Sequence, residues 1–304
     1  MVVGTGATLT LKGLTLANGN ASNGGALINQ GMLNVIDCAF TGNTSSASSG
    51  AIFNHSGSAV VTGSTFSGNS AYSAGGAIGN YGSSLTVVNS TFAGNSGGSW
   101  GGGALYSRAA ALRASTGATL AGDSLGAAGA FIDGPNSPSA ASFQVTASTF
   151  LSNTATGGGG AIGNGGSGEV GGTATLQNNL FAGSQVGGGS VNCHNEGGTL
   201  SDGGYNIEDA DTCGFSGTSL KNTNPVLAGL ANNGGSTWTI ALLAGSPAID
   251  RIPSGVNGCG TTLTTDQRGV HRPLDGNLDG IAACDVGAYE FSHILYLPLI
   301  VKNH

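Results

Sequence analysis

The chain has 304 residues, 58 of them glycine, a formal net charge of −7 and only 8% charged residues, against roughly 25% in ordinary globular chains. Its eight Lys and Arg are scattered along the chain, which leaves no basic stripe for nucleic acid and no polybasic patch for an anionic membrane. At 39% hydrophobic there is apolar material for a core, and its regular spacing argues against the disorder that a Gly/Ser-rich composition otherwise suggests.

The first residues, Met1-Val-Val-Gly-Thr-Gly6, lack the basic and apolar regions of a signal peptide and read as a truncated or processed start that enters a repeat directly. A Gly-Gly-Ala-Ile/Leu element recurs at residues 24–27, 75–78, 102–105 and 159–162, with 49–52 a one-letter variant. A Phe-x-x-Asn element closes each unit, from Phe40 to Asn43, Phe66 to Asn69, Phe92 to Asn95 and Phe150 to Asn153. Phe40, Phe66 and Phe92 are 26 residues apart, and a period in the range of about 20–50 residues marks a solenoid, because one unit cannot bury its apolar face alone. Within a unit the apolar runs alternate, as in Leu9-Thr-Leu11 and Leu85-Thr-Val87, a period of two that means strand. Three short strands joined by Gly/Ser/Asn turns fit one coil of a parallel β-helix, with coils stacked ~4.8 Å apart.

In that arrangement Ala, Ile and Leu of the opening element and Phe of the closing element form inward columns. Asn43, Asn69, Asn95 and Asn153 are expected to stack as an amide ladder, and Asn29, Asn54, Asn80 and Asn164 as a second. Such ladders satisfy turn backbone; a ligand-binding stripe is the functional alternative. Cys38, two residues before Phe40, reads as a buried free thiol behaving as a small hydrophobe. The paired elements resemble the repeats of polymorphic outer-membrane proteins and related bacterial surface β-helices over most of residues 1–190. That resemblance implies architecture rather than a particular activity.

From Ser107 to Ser142 the pattern breaks into an insertion carrying Arg108, Arg113, Asp123 and Asp133; a surface loop or extra hairpin is the plain reading and a site the functional one. Coils resume at Phe143 and run through Phe181 to about Asn195, so residues 1–195 form the coil domain. Of five cysteines none forms a CxxC pair, and Cys193–Cys213 and Cys259–Cys284 each bracket a loop-rich stretch. Two disulfides and an oxidising compartment follow.

Beyond Gly204 the text changes to GYNIEDADTCGF, then NPVLAGLANNGGSTWTIALLAGSPAID, then TDQRGVHRP and CDVGAYEF. These phrases, in this order over roughly residues 200–291, resemble the C-terminal part of the choice-of-anchor Q domain family, exported bacterial β-helix proteins. The resemblance implies a secreted or surface-anchored bacterial protein and no known reaction. Read from the residues, Pro225, Pro247, Pro253 and Pro273 punctuate short extended segments. Trp238 and the apolar run 240–243 are expected to cover the last coil's open edge, with Arg268 and Arg272 pairing with Asp250, Asp266 or Asp285. Residues 196–291 thus read as final coils and a C-terminal cap. Residues 292–304 read as an apolar tail whose segment 294–301 is too short to span a bilayer and, with Pro298, suits an edge strand that folds back or pairs with a neighbouring subunit.

Glycoside hydrolysis needs two carboxylates about 5–10 Å apart, yet Asp37 is the only acid before Asp123 and Glu169 stands alone. The other acidic group is Asp202, Glu208, Asp209 and Asp211; His55, His194 and His271 have no nucleophile at a recognisable spacing. One motif is sharper: Asp275-Gly-Asn277-Leu-Asp279-Gly280 matches the D-x-D/N-x-D/N-G opening of a calcium loop. Asp285 or Glu290 are candidates to complete the shell, since Val286 stands where the loop's closing Glu belongs; a plain turn explains the same residues. The expectation is an all-β, right-handed parallel β-helix with a loop-rich cap, acting as an extracellular or cell-surface structural or adhesive protein. It is expected to assemble head to tail through residues 294–301, to take calcium at Asp275, Asn277, Asp279 and Asp285, and not to be an enzyme. The rival is a polysaccharide-binding or polysaccharide-degrading β-helix with cell-surface glycans as partners.

Overall fold

The computed structural model describes residues 1–109, 141–166 and 169–292. It is an all-β parallel β-helix: equivalent strands of successive coils pair in parallel and in register, Phe40 facing Phe66, Phe92, Phe150 and Phe181 in turn. Each complete coil has four strands rather than three. In the second coil they are Leu27–Asn29, Met32–Ile36, Ala39–Thr41 and Thr44–Ser48, and in the third Ile52–His55, Ser58–Thr62, Thr65–Ser67 and Ser70–Ala71. The fourth strand escapes a pattern search because it is a run of small and polar residues, Ser96–Gly97 or Thr154–Ala155, without apolar alternation.

The inward residues close a dry core, with Leu33, Val35, Phe40, Ile52 and Val61 at most 1% exposed. The phenylalanine rings stack 4.7–4.9 Å apart down the axis, each aromatic pair adding about 0.5–1.5 kcal/mol beyond its buried area. The two glycines of the opening element answer to different constraints. The first, at Gly24, Gly75 and Gly102, has φ of 56°, 66° and 68°, the left-handed region glycine enters without steric cost. The second leaves no room for a side chain: a Cβ on Gly50 or Gly76 would lie 2.1 or 2.0 Å from the carbonyl oxygen of the equivalent glycine one coil on.

Both expected ladders form. Asn43 Nδ2 donates to Asn69 Oδ1 at 2.9 Å, Asn69 to Asn95 at 2.9 Å and Asn95 to Asn153 at 3.0 Å. Asn29 donates to Asn54 and Asn54 to Asn80, both at 2.8 Å; Ser107 takes the next rung, and Asn164 donates to Asn195 at 2.7 Å. These amides are fully buried at Asn43, Asn69, Asn95 and Asn153 and satisfy turn backbone. A third ladder was not anticipated. The backbone N–H of Ser64, Ser90, Ser148 and Asn179 donates to the side chain of Ser90, Ser148, Asn179 and Asn206 respectively. Cys38, free and buried, stands on the rung before Ser64: its backbone N–H donates to Ser64 Oγ, and its Sγ donates to Ile36 O as Ser64 Oγ does to Thr62 O.

Ser107 and Arg108 belong to the strand Leu105–Arg108, and Ser142 opens the strand Ser142–Thr146 paired with Ser84–Val88. The insertion is therefore narrower than 107–142, with both ends at one corner of the fifth coil. Arg113, Asp123, Asp133 and the tail segment 294–301 lie outside the described residues.

The C-terminal third departs from expectation. Trp238 and residues 240–243 do not cover the last coil. That role falls to residues 209–223: Phe215 tilts against Phe181 at 5.8 Å, Leu220 N–H donates to Asn206 O, Glu208 N–H donates to Leu220 O, and the Cys193–Cys213 disulfide ties the segment beneath the coil. Residues 224–292 then turn back along the side of the solenoid, over the corner between second and third strands. Thr237 Oγ1 donates to Gly63 O at 2.8 Å, Thr65 Oγ1 to Trp238 O at 2.5 Å and Asn89 Nδ2 to Thr265 O at 2.9 Å, while Ala288 N–H donates to Thr149 Oγ1 at 3.0 Å. Gln267, 4% exposed, accepts from Thr91 Oγ1 and donates to Thr65 Oγ1 and Thr237 Oγ1. The Ser-Thr-Phe triplets of the third to fifth coils thus divide their work: Ser carries the ladder, Thr docks this flank and Phe fills the core. Within the flank Leu227–Ala231 pairs antiparallel with Thr239–Leu242, Ile252–Pro253 with Ala283–Cys284, and the second expected disulfide joins Cys259 to Cys284. Among the described residues no helix is long and apolar enough to cross a membrane.

Candidate functional site

The acids of the last coil are committed to the closing segment. Asp202 Oδ1 accepts from Gly204 N–H, Asn206 Nδ2 and Ser219 Oγ, and Oδ2 from Ser216 N–H. Glu208, fully buried, accepts from the N–H groups of Thr212 and Cys213; burial raises its pKa, partly offset by those bonds. Asp209 accepts from Gly183 N–H and Asn192, and Asp211 pairs with Lys221 at 2.8 Å on the surface. Each carboxylate ties chain to chain rather than facing a shared cleft. The histidines are likewise apart: His55 stacks on Phe53, and His194 lies 3.6 Å from Glu196.

The loop that opens at Asp275 is an exposed turn. Asp275 Oδ1 accepts from Asp279 N–H and Oδ2 from Gly280 N–H; Asn277 Oδ1 accepts from Asp279 N–H, and Asp279 Oδ1 from Ile281 N–H. Leu278 at φ 64° and Gly280 at φ 90° make the bend. Asp250, expected as an arginine partner, instead completes this group: it accepts from Gly276 N–H at 3.1 Å and from Asn277 N–H at 2.6 Å. The pairing of Ile252–Pro253 with Ala283–Cys284 brings it there, so no local spacing could reveal it. Burial first, then the charges of Asp275 and Asp279, raise the pKa of Asp250. Asp250, Asp275, Asn277 and Asp279 offer the hard oxygen donors that suit calcium, here turned onto the loop's own amides. Among the described residues no three His, Cys, Asp or Glu side chains converge as a metal cage.

Asp285 does not face this loop. It is 1% exposed, with Oδ1 accepting from Asp250 N–H and Oδ2 from Phe291 N–H, so it stands behind the loop and fixes Asp250. Glu290 accepts from Leu274 N–H and Asp285 N–H and pairs with the fully buried Arg272 at 3.1 Å. Arg272 was expected to pair with an aspartate; it reaches Asp285 only through that residue's carbonyl, and donates to Gly287 O as well. Arg268 does pair with Asp266, at 2.6 Å, its guanidinium lying 3.5 Å over the Tyr289 ring. Burial, then repulsion from Glu290, pushes the Asp285 carboxyl up to about 8. Glu290 rises to about 7, chiefly through burial. Asp285, Glu290, Arg272 and Asp266 together form the keystone of the flank.

At the opposite end, among the described residues, the strands Val2–Val3, Thr8–Lys12, Thr15–Ala17 and Asn20–Asn23 each pair with the next coil. Val2 is 65% and Leu14 49% exposed, and Leu9 and Leu16 are only partly buried. Compared with protein-family models, with curated proteins and with solved structures, the chain finds no match.

Proposed function

We propose that this chain is a secreted or cell-surface structural and adhesive β-helix protein of a bacterium. One observation carries the reading: the coils present mostly hydroxyl, amide and small side chains outward, with Met32, Val60 and Tyr72 among the exceptions, while Asp202, Glu208 and Asp266 accept backbone N–H bonds. Retaining or inverting hydrolysis needs two carboxylates facing one sugar, an arrangement at odds with these bonds. The two disulfides fit an oxidising compartment, and the resemblance of the C-terminal phrases to exported β-helices points the same way. End-to-end association is part of the proposal: the apolar segment 294–301, with the length of one strand, adds by main-chain pairing to a coil edge of a second copy. Calcium is proposed at Asp275, Asn277 and Asp279 with Asp250, Asp285 acting from behind. Incubating the purified chain with pectin, xylan and cellulose tests the reading: neither reducing ends nor unsaturated uronides should appear, and labelled protein should coat bacterial cells. Release of either product would overturn it.

A further inference from the structure

The second strand of each coil turns alternate residues outward, and the flank crosses that sheet at residues 257–263. Thr86 and Gln144 stand on adjacent rungs of one outward column; Val88, Thr146 and Gln177 stand on three successive rungs of the next. Between this floor and the crossing loop lies a groove of about 320 Å³, walled on the far side by Asn257, Thr262 and Leu263, at the small end of ligand sites. We propose that this groove binds a neutral oligosaccharide. The inference deepens the adhesive reading above and rests on it, by naming the ligand class.

The lining selects that class. It carries no carboxylate, ammonium, guanidinium or imidazole, so an anion finds no cation and a cation no carboxylate. Each Gln carboxamide offers two N–H donors and an acceptor, and each Thr hydroxyl does both. That is the complement of a dense array of sugar hydroxyls. Val88 and Leu263 supply an apolar patch for the C–H face of a ring. A peptide adding as a further strand would need a free backbone edge, whereas the floor strands Ser142–Thr146 and Thr173–Gln177 are paired on both sides. Rungs lie ~4.8 Å apart and alternate residues of a strand ~6.6 Å apart, so Gln144 and Gln177, diagonal to each other across one rung, stand roughly 8 Å apart and can reach neighbouring units of one oligosaccharide.

Both walls are rigid, so little ordering is needed on binding. The floor is a parallel sheet. The crossing loop is fastened by Asn178 Nδ2 donating to Asn257 O at 3.0 Å, by Asn257 Nδ2 donating to Gly203 O at 3.0 Å, and by the Cys259–Cys284 disulfide.

The test is titration of the whole chain with cellotetraose, xylotetraose and maltotetraose, with tetragalacturonate as the acidic comparator, followed by amide NMR and affinity electrophoresis. At least one neutral tetrasaccharide should shift resonances of the groove, and Gln144→Ala with Gln177→Ala should weaken it tenfold or more at unchanged melting temperature. Asn34→Ala, on the same sheet but outside the groove, should leave binding unchanged. Silence with all three neutral probes, preference for tetragalacturonate, or undiminished binding by the double variant would overturn the inference. Cell coating measured in parallel separates the two readings: coating that persists without any glycan binding sinks the groove alone, and its absence sinks the adhesive reading.

Discussion

Gly76 and Gly94 belong to the same coil and tolerate a methyl group to very different degrees. A Cβ on Gly76 would lie 2.0 Å from Gly103 O and 2.6 Å from the Ser96 backbone, whereas Gly94, at φ 61°, has nothing within 4 Å. Gly94→Ala therefore pays only for the left-handed conformation, about 1–2 kcal/mol. Gly76→Ala forces two backbones apart and is expected to cost roughly 3 kcal/mol or more. Urea denaturation of both variants checks this, and equal losses would show that the close approach is not limiting. The glycine pair that includes Gly76 shows in the sequence as a repeated element, but the crowding at its second member is visible only with the neighbouring coil in place. Cys38 shows the reverse. Its burial was legible from its place beside Phe40, and its membership of the serine ladder was hidden because a thiol and a hydroxyl look unrelated until Ser64 lies on the next rung.

The flank, residues 224–292, buries Asp266, Arg272, Asp285 and Glu290, and its stability follows the protonation of Asp285 and Glu290. Both carboxyls have pKa values raised above the ordinary range, to about 8 and about 7. The folded state therefore binds more protons than the unfolded state between about pH 4 and pH 8, and stability falls as pH rises through that window. The flank is expected to melt at lower temperature at pH 9 than at pH 5, followed by fluorescence of Trp238, which sits on it at 55% exposure. A melting temperature that climbs with pH over this range would contradict the picture. The proposed calcium bears on the same element. Chelation of a calcium-loaded sample should lower the flank's melting temperature, and Asp275→Ala should remove that sensitivity; an unchanged melt after chelation would leave the loop an ordinary turn. The motif at Asp275 was readable because its spacing is local, while Asp250 was not, since it arrives from another strand.

At the scale of the molecule the proposed association joins the tail of one copy to a coil edge of another. Such a head-to-tail contact propagates into a filament when its rotation does not close. Deleting residues 292–304 should reduce particle size in light scattering and abolish fibres seen by electron microscopy at high concentration. Identical sizes for both proteins, with no fibres from either, would remove the idea.

Residues 1–195 declared their architecture because a solenoid places sequence neighbours one period apart in contact. Phe40 meets Phe66, Asn43 meets Asn69, and the 26-residue step is itself the contact map. Both disulfides were legible for a related reason, each closing a short stretch of 20 or 25 residues. The course of the C-terminal third was decided by tertiary structure alone. Its docking partners are Thr65, Thr91 and Thr149, outward hydroxyls of the kind a solvated strand also carries, and Gln267 reaches Thr65 across 202 residues. Hydrophobic alternation records which residues leave water for the core, but not which polar ones another part of the chain will cover.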